Sequence, residues 1–147
     1  MSHDLLSIPV APDWEAMLRC IRREGTPSRV HNIELFLDAE VNDAVIERFG
    51  LDANLNPNAD DYAYQRYVAV QRFLGYDYVR CGVENMDWPM NRDTTTDTAA
   101  LPRDGGRSYI NEHRGPITNW QEFEAYPWPD PKQATTLGLE WCEKNLP

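Results

Sequence analysis

The sequence predicts an α/β fold in which parallel strands are joined by helices, and three observations support it. Residues 30–37 and 78–83 are short runs rich in apolar, β-branched and aromatic residues, as in buried strands. Residues 38–75 between them have the apolar spacing of helices. Strands separated by crossing helices pair in parallel, with a right-handed connection. Hydrophobic residues make up 41% of the 147 residues, enough for the packed core of one domain.

An amphipathic helix is predicted over residues 12–24, before the first strand. Asp13 is a suitable N-terminal cap, and Gly25 lies just past the end. The positive charges of the arginines near its C-terminus are stabilised by the helix dipole, so a phosphate ligand is not needed to explain them. Its apolar residues recur at helical spacing: Trp14, Met17, Leu18 and Ile21.

Two further helices are predicted between the strands. Asp38 caps the first, which Gly50 ends. The second begins near Asp60 or Asp61, has a broad aromatic face for packing on a sheet, and ends at Gly75.

Residues 84–117 are predicted to be a long loop, because Asp, Thr, Asn, Pro and Gly dominate them. Loops of this length in compact domains are usually functional or disordered, and this one follows a strand, where α/β barrels build their sites. A short extended segment or hairpin within residues 107–117 is also considered. Asn119 and Glu122 then predict a capped short helix, and a last helix opens at Pro131.

The charge balance argues against several classes of partner. Fourteen basic and twenty-four acidic residues give a net charge of -10, which opposes binding to nucleic acids or anionic lipid surfaces. No apolar run approaches the ~20 residues that span a bilayer, and the N-terminus lacks the pattern of a signal peptide. A cytoplasmic protein is therefore expected.

The cysteines and histidines do not form a metal-binding pattern. The three cysteines lie about sixty residues apart, and the three histidines are equally scattered. Structural thiols in a reducing compartment are expected, with no metal site made from this chain alone.

Four segments carry a resemblance to a known family. They are W-x-x-M-L-x-x-I-R-x-E from residue 14, RVHNIELFLDAEV from 29, FLGYDYV from 73 and GPITNWQEFEAYPWPDP from 115. Together they resemble the N-terminal half of uroporphyrinogen decarboxylase-like proteins. The resemblance implies a partial TIM (β/α)8 barrel with about two parallel strands and about five helices. Residues 1–147 would then be a single incomplete domain of a larger protein.

The resemblance also implies a class of chemistry. Members of the superfamily decarboxylate the acetate side chains of a porphyrinogen without a cofactor, or move methyl groups between a corrinoid protein and a thiol using zinc. The YPWPD segment and the absence of an R-Q-A-G-R motif after the first strand favour the methyltransferase-like branch. The family's zinc ligands look like His and Cys residues of the C-terminal half, so this chain alone is expected to bind no cofactor.

Alternatives to this function stay open. The complete protein is either methyltransferase-like or a porphyrinogen carboxy-lyase, acting on a small-molecule or corrinoid-bound substrate. The chain by itself is expected to be inactive, as a truncated product or an assembly module. Strands with unpaired edges would also allow a homo-oligomer.

Candidate substrate-facing residues follow the predicted strands, where the loops of a barrel converge. Glu34 is the sharpest case, because a buried carboxylate must be paired, and Arg80 is the expected partner in either a structural ion pair or a substrate contact. Asp38 serves equally as a helix cap, and basic residues of the long loop suit an anionic substrate or a solvated surface. Asp87 lies near the position of the decarboxylases' catalytic aspartate but outside a matching motif. The full set of candidates is Glu34, Asp38, Arg80, Glu84, Asp87, Arg107 and His113.

Overall fold

The computed structural model describes residues 10–101, 103 and 105–146, and the chain divides into two compact units. We call residues 1–81 unit 1 and residues 82–147 unit 2. None of the helices in the described part of the chain is long and apolar enough to cross a membrane.

The three helices predicted for unit 1 are confirmed: α1 (Trp14–Ile21), α2 (Ala39–Phe49) and α3 (Tyr62–Phe73). The Asp13 side chain caps α1 by accepting a 2.9 Å hydrogen bond from the backbone N–H of Ala16. Gly50 ends α2 in the left-handed conformation, at a φ of 61°.

The apolar core of unit 1 lies where α2 contacts α3. Ile46 of α2 and Val68 and Val70 of α3 are buried, and Val70 is completely enclosed. The rings of Phe49 and Phe73 lie with centroids 4.6 Å apart. The aromatic face of α3 was predicted to pack on a sheet, but its Phe73 packs on Phe49 of α2 instead.

The prediction of two parallel strands is wrong, because neither residues 30–37 nor residues 78–83 form a strand. The two segments nevertheless run side by side. Tyr78 and Arg80 reach residues 34 and 35 through their side chains, which donate to backbone carbonyls, so the two main chains form no ladder there. The bonds are Asp77 N–H to Asn32 O (3.0 Å), Tyr78 O–H to Glu34 O (3.3 Å) and Arg80 Nη1–H to Leu35 O (3.0 Å).

A partial TIM barrel is therefore also wrong for this chain. The described residues contain five α-helices and one two-stranded antiparallel sheet, formed by β1 (Arg92–Thr95) and β2 (Arg107–Ile110). Arg92 lies opposite Ile110, and Thr95 lies opposite Arg107. This hairpin occupies part of the predicted long loop, and its second strand lies where the sequence allowed a short extended segment.

The helices of unit 2 are short. Asn119 caps α4 (Trp120–Ala125) by accepting a 3.0 Å hydrogen bond from the N–H of Glu122, as predicted. The predicted last helix is interrupted: a single 3-10 turn, Pro131–Gln133, is separated from α5 (Leu137–Asn145). Thr135 lies between them and exchanges two backbone hydrogen bonds with Glu84, which explains the break.

Candidate functional site

The most strongly connected polar group of unit 1 is the carboxylate of Asp77. Its side chain is fully buried just after α3, and it accepts bonds from two other chain segments, at residue 13 and at residues 29–32. We call Arg29, His31 and Asp77 the Asp77 cluster. Both nitrogens of the Arg29 fork donate to Asp77, Nη1 at 2.9 Å and Nη2 at closer range. The other donors are His31 Nδ1 (3.0 Å), Asp13 N–H (2.7 Å) and Asn32 N–H (3.1 Å).

The chain reaches this geometry through a glycine. Gly75 has a φ of +73°, and a Cβ at this position would lie 2.6 Å from the Cβ of Val10. Only glycine therefore allows the chain to leave α3 in this direction, which delivers Asp77 beneath the start of α1.

Opposing effects act on the ionisation of Asp77. Burial by itself raises the pKa of the carboxyl. The Arg29 guanidinium, the N–H of Asp13, His31 and the N–H of Asn32 stabilise the charged form and prevail. They hold the pKa of Asp77 well below its ordinary value of 3.8, so Asp77 is a carboxylate at neutral pH.

His31 has one partnered and one unpartnered nitrogen. Nδ1 faces the Asp77 carboxylate, which fixes Nδ1 as the donor. Nε2 is buried and has no hydrogen-bond partner among the described residues. Because Nε2 is enclosed, a solvent-borne substrate does not reach it in this conformation.

The Asp77 cluster therefore has a structural role and offers no reactive group. Its carboxylate is saturated with donors and shielded from solvent, so it is neither a free base nor a nucleophile. What it does is fix Asp13 at the start of α1, residues 29–32 and residue 77 relative to one another. Within the described residues, no group of three or more His, Cys, Asp and Glu side chains is placed to hold a metal ion.

The predicted pair of Glu34 and Arg80 does not form. Glu34 Oε1 accepts a 3.1 Å hydrogen bond from the N–H of Phe36, and the Arg80 guanidinium lies 4.7 Å from the centre of the Phe36 ring. The two segments meet as expected, but Arg80 binds a carbonyl and a ring instead of a carboxylate. Asp38 occupies the N-cap position of α2 without a capping hydrogen bond from its side chain.

The four candidates of unit 2 have separate surroundings. Arg107 in β2 pairs with Asp97 at 2.9 Å, and Glu84 forms the backbone bridge to Thr135. Asp87 and His113 are exposed. Backbone N–H groups of Ala99 and Arg103, together with the Arg107 side chain, lower the pKa of Asp97 to about 2. This carboxylate organises the turn between β1 and β2.

A separate cavity of about 280 Å³ lies between α2 and α3. Its walls are mainly apolar and include Ile46, Tyr67 and Val70. Arg66 lines it and is already paired with Asp43 at 2.8 Å. None of the residues predicted from the sequence as substrate-facing lines this cavity.

The sequence reasoning missed the Asp77 cluster. Its residues lie within two segments that carried the family resemblance, RVH and GYD, but none of the three was predicted as a site residue. The available signal was a carboxylate two residues after a helix-ending glycine, together with an arginine immediately before an apolar run. Such a carboxylate must find a cation if the fold buries it.

Comparisons with known proteins were negative: no family model, no curated protein and no solved structure matches the chain.

Proposed function

We propose that this chain supplies the N-terminal part of a uroporphyrinogen decarboxylase-like protein whose complete form is an enzyme of the methyltransferase-like branch. The observation that supports the proposal is the ion pair between the half-buried Arg29 and the buried Asp77, which are 48 residues apart. These residues belong to two of the four segments that resemble the family. The Arg29–Asp77 contact therefore holds two of the family-like segments together in the fold.

In this proposal the Asp77 cluster holds the neighbouring chain segments in position, and other residues contact the substrate. The cluster fixes residues 29–32, and the chain continues directly to the half-buried Glu34 and to Asp38. Arg80, three residues after Asp77, adds a cation beside the same segment. These side chains offer a carboxylate and a guanidinium to a substrate, while zinc and the corrinoid-bound methyl group belong to the complete protein.

An activity assay on the complete gene product tests the proposal. The purified protein is incubated with zinc, methylcobalamin and a small thiol, and loss of methylcobalamin absorbance is followed. Zinc-dependent demethylation with formation of the methyl thioether supports the methyltransferase-like function. Decarboxylation of uroporphyrinogen by the same protein supports the carboxy-lyase instead, and absence of both activities contradicts membership of either branch.

A second candidate function, an assembly module, is favoured by the exposure of an apolar stripe. Val30 is 84% exposed and Phe36 74% exposed, with Ile33 and Leu35 also on the surface. Soluble proteins rarely leave such contiguous apolar patches uncovered, and a second copy of the chain is the simplest cover. Sedimentation equilibrium tests this: dimers that Leu35→Lys dissociates support it, and a monomer at tens of micromolar contradicts it.

A further inference from the structure

The cavity between α2 and α3 is bordered by an amide whose hydrogen bonding is incomplete. Asn42 of α2 lines the cavity, and its Oδ1 is buried without a hydrogen-bond partner among the described residues. Its Nδ2 donates to the carbonyl of Leu37 at 3.2 Å. Because a carbonyl only accepts, this bond fixes the orientation of the amide and leaves Oδ1 as an acceptor. A buried acceptor without a donor is destabilising, so a molecule that brings a donor to Oδ1 recovers that loss.

The size and the walls of the cavity suit a small ring. Its volume is about 280 Å³, and an apolar cavity of about 150 Å³ is enough to hold benzene. Ile46 and Val70 bury their side chains at this cavity, and Tyr67 adds an aromatic ring to its wall. Ala39 and Ala63 also line it, and their short side chains leave space that larger residues would fill. A rigid ring packs against such walls and loses little conformational entropy on binding.

The charged groups beside the cavity disfavour an ionic ligand. Arg66 is held by Asp43 at 2.8 Å and by Asp52 at 3.4 Å. Tyr62 donates its hydroxyl to the same Asp52 carboxylate at 3.1 Å. Two carboxylates face one guanidinium, so a further anion is repelled, and a cation would have to leave water for mainly apolar walls. The ligand that fits these surroundings is therefore neutral.

We propose that the cavity between α2 and α3 binds a small, neutral, ring-containing molecule with one hydrogen-bond donor, the chemical class of indole and the phenols. The ring packs against Ile46, Tyr67 and Val70, and its N–H or O–H donates to Asn42 Oδ1. Solvent does not reach Oδ1 in the conformation described, so side chains of the wall rotate when the ligand enters. This site is independent of the substrate-facing residues assigned above, since none of them lines the cavity.

An NMR titration of the full chain with indole tests the site. We expect the methyl resonances of Ile46 and Val70 to shift and to saturate, while those of Val30 and Ile33, which lie outside the cavity, stay in place. Benzofuran is the matched ligand, because it has the shape of indole but an oxygen in place of the N–H. Loss of one hydrogen bond should raise its Kd about fivefold above that of indole.

Two variants locate the ligand and its donor. Asn42→Ala should abolish the preference, so that indole and benzofuran bind with the same Kd. Ala63→Leu fills the cavity and should weaken indole binding about tenfold. Ala53→Leu is the matched control: Ala53 is also exposed in unit 1 but does not line the cavity, so this variant binds indole like the unmodified chain.

The unmodified chain decides the matter even if a variant fails to fold. Absence of saturable shifts at Ile46 and Val70 overturns the proposal, because the cavity then takes no ring. Binding of benzofuran as tight as that of indole overturns the role of Asn42 as the acceptor and with it the assigned ligand class. Equal weakening by Ala63→Leu and Ala53→Leu also overturns the proposal, since indole would then bind elsewhere.

Discussion

The two units differ in the hydrogen bonds that hold their short elements together. In unit 1, the buried carboxylate of Asp77 accepts hydrogen bonds from two distant segments, at residue 13 and at residues 29–32. In unit 2, backbone carbonyls take that part: Glu84 and Thr135 exchange two main-chain bonds, and the Tyr126 hydroxyl donates to the carbonyl of Pro89. The comparison shows two ways of joining distant parts of a chain: donors gathered on one buried carboxylate in unit 1, and hydrogen bonds to backbone carbonyls in unit 2.

Replacement of Asp77 should have the largest effect on this comparison. Asp77→Asn removes the charge that Arg29 faces and leaves buried donors poorly matched, so we expect unit 1 to lose about 3 kcal/mol of unfolding free energy. Urea denaturation measures the loss. Asp43→Asn, a matched change at an exposed pair in the same unit, costs at most about 0.5 kcal/mol. Similar losses in both variants would show that burial of Asp77 is unimportant.

Acid should reproduce part of that loss in the unmodified chain. The pKa of Asp77 is lower in the folded than in the unfolded state, so its stabilising contribution is present above the unfolded pKa near 3.8 and is lost as the pH falls below that value. The loss at pH 3 is smaller than in Asp77→Asn, because the folded carboxyl is still largely ionised. Urea midpoints at pH 5 and pH 3 measure it, and Asp77→Asn should flatten this dependence.

The hairpin of unit 2 depends on a close approach at Gly106. Its φ is +84°, and an added Cβ would lie 2.4 Å from the carbonyl oxygen of Thr95, so Gly106→Ala should destabilise the hairpin by about 2 kcal/mol. Gly105→Ala has a similar φ of +86° but open space around the new carbon, and should cost about 1 kcal/mol. NMR contacts between Asp93 and Tyr109 report whether the strands remain paired. Equal effects would exclude the steric explanation.

The smallest expected effect concerns the hydroxyl of Tyr126. Tyr126→Phe removes its 2.6 Å hydrogen bond to the carbonyl of Pro89 and should cost about 1 kcal/mol within unit 2. Tyr109→Phe, at an exposed ring in the same unit, should change stability negligibly. Thermal unfolding of the two variants gives the comparison, and an unchanged midpoint for Tyr126→Phe would contradict the anchoring role of this bond.

Local features were the predictable part of the structure. Asp13, Gly50 and Asn119 marked helix ends correctly, because capping depends on residues within one turn. The prediction of two strands was wrong because it depends on contacts between residues far apart in the sequence. The apolar run from Val30 to Phe36 was recognised as needing a neighbour, but sequence alone did not reveal that its carbonyls are bonded by the side chains of Tyr78 and Arg80.

The candidate site shows the same limit. Glu34 and Arg80 were placed correctly on adjacent segments, yet the ion pair that forms is the one between Arg29 and Asp77. Which carboxylate is buried depends on the turn at Gly75 and on the position of α1. That arrangement emerges only when segments far apart in sequence pack together.

Hydrogen–deuterium exchange on the unmodified chain and on Asp77→Asn tests most directly whether Asp77 joins the segments of unit 1. We predict faster exchange in Asp77→Asn for residues 11–36 and 75–81, with unchanged exchange in β1, β2 and α4. Faster exchange throughout both units, or no change around Asn32 and Asp13, would contradict the role assigned to Asp77.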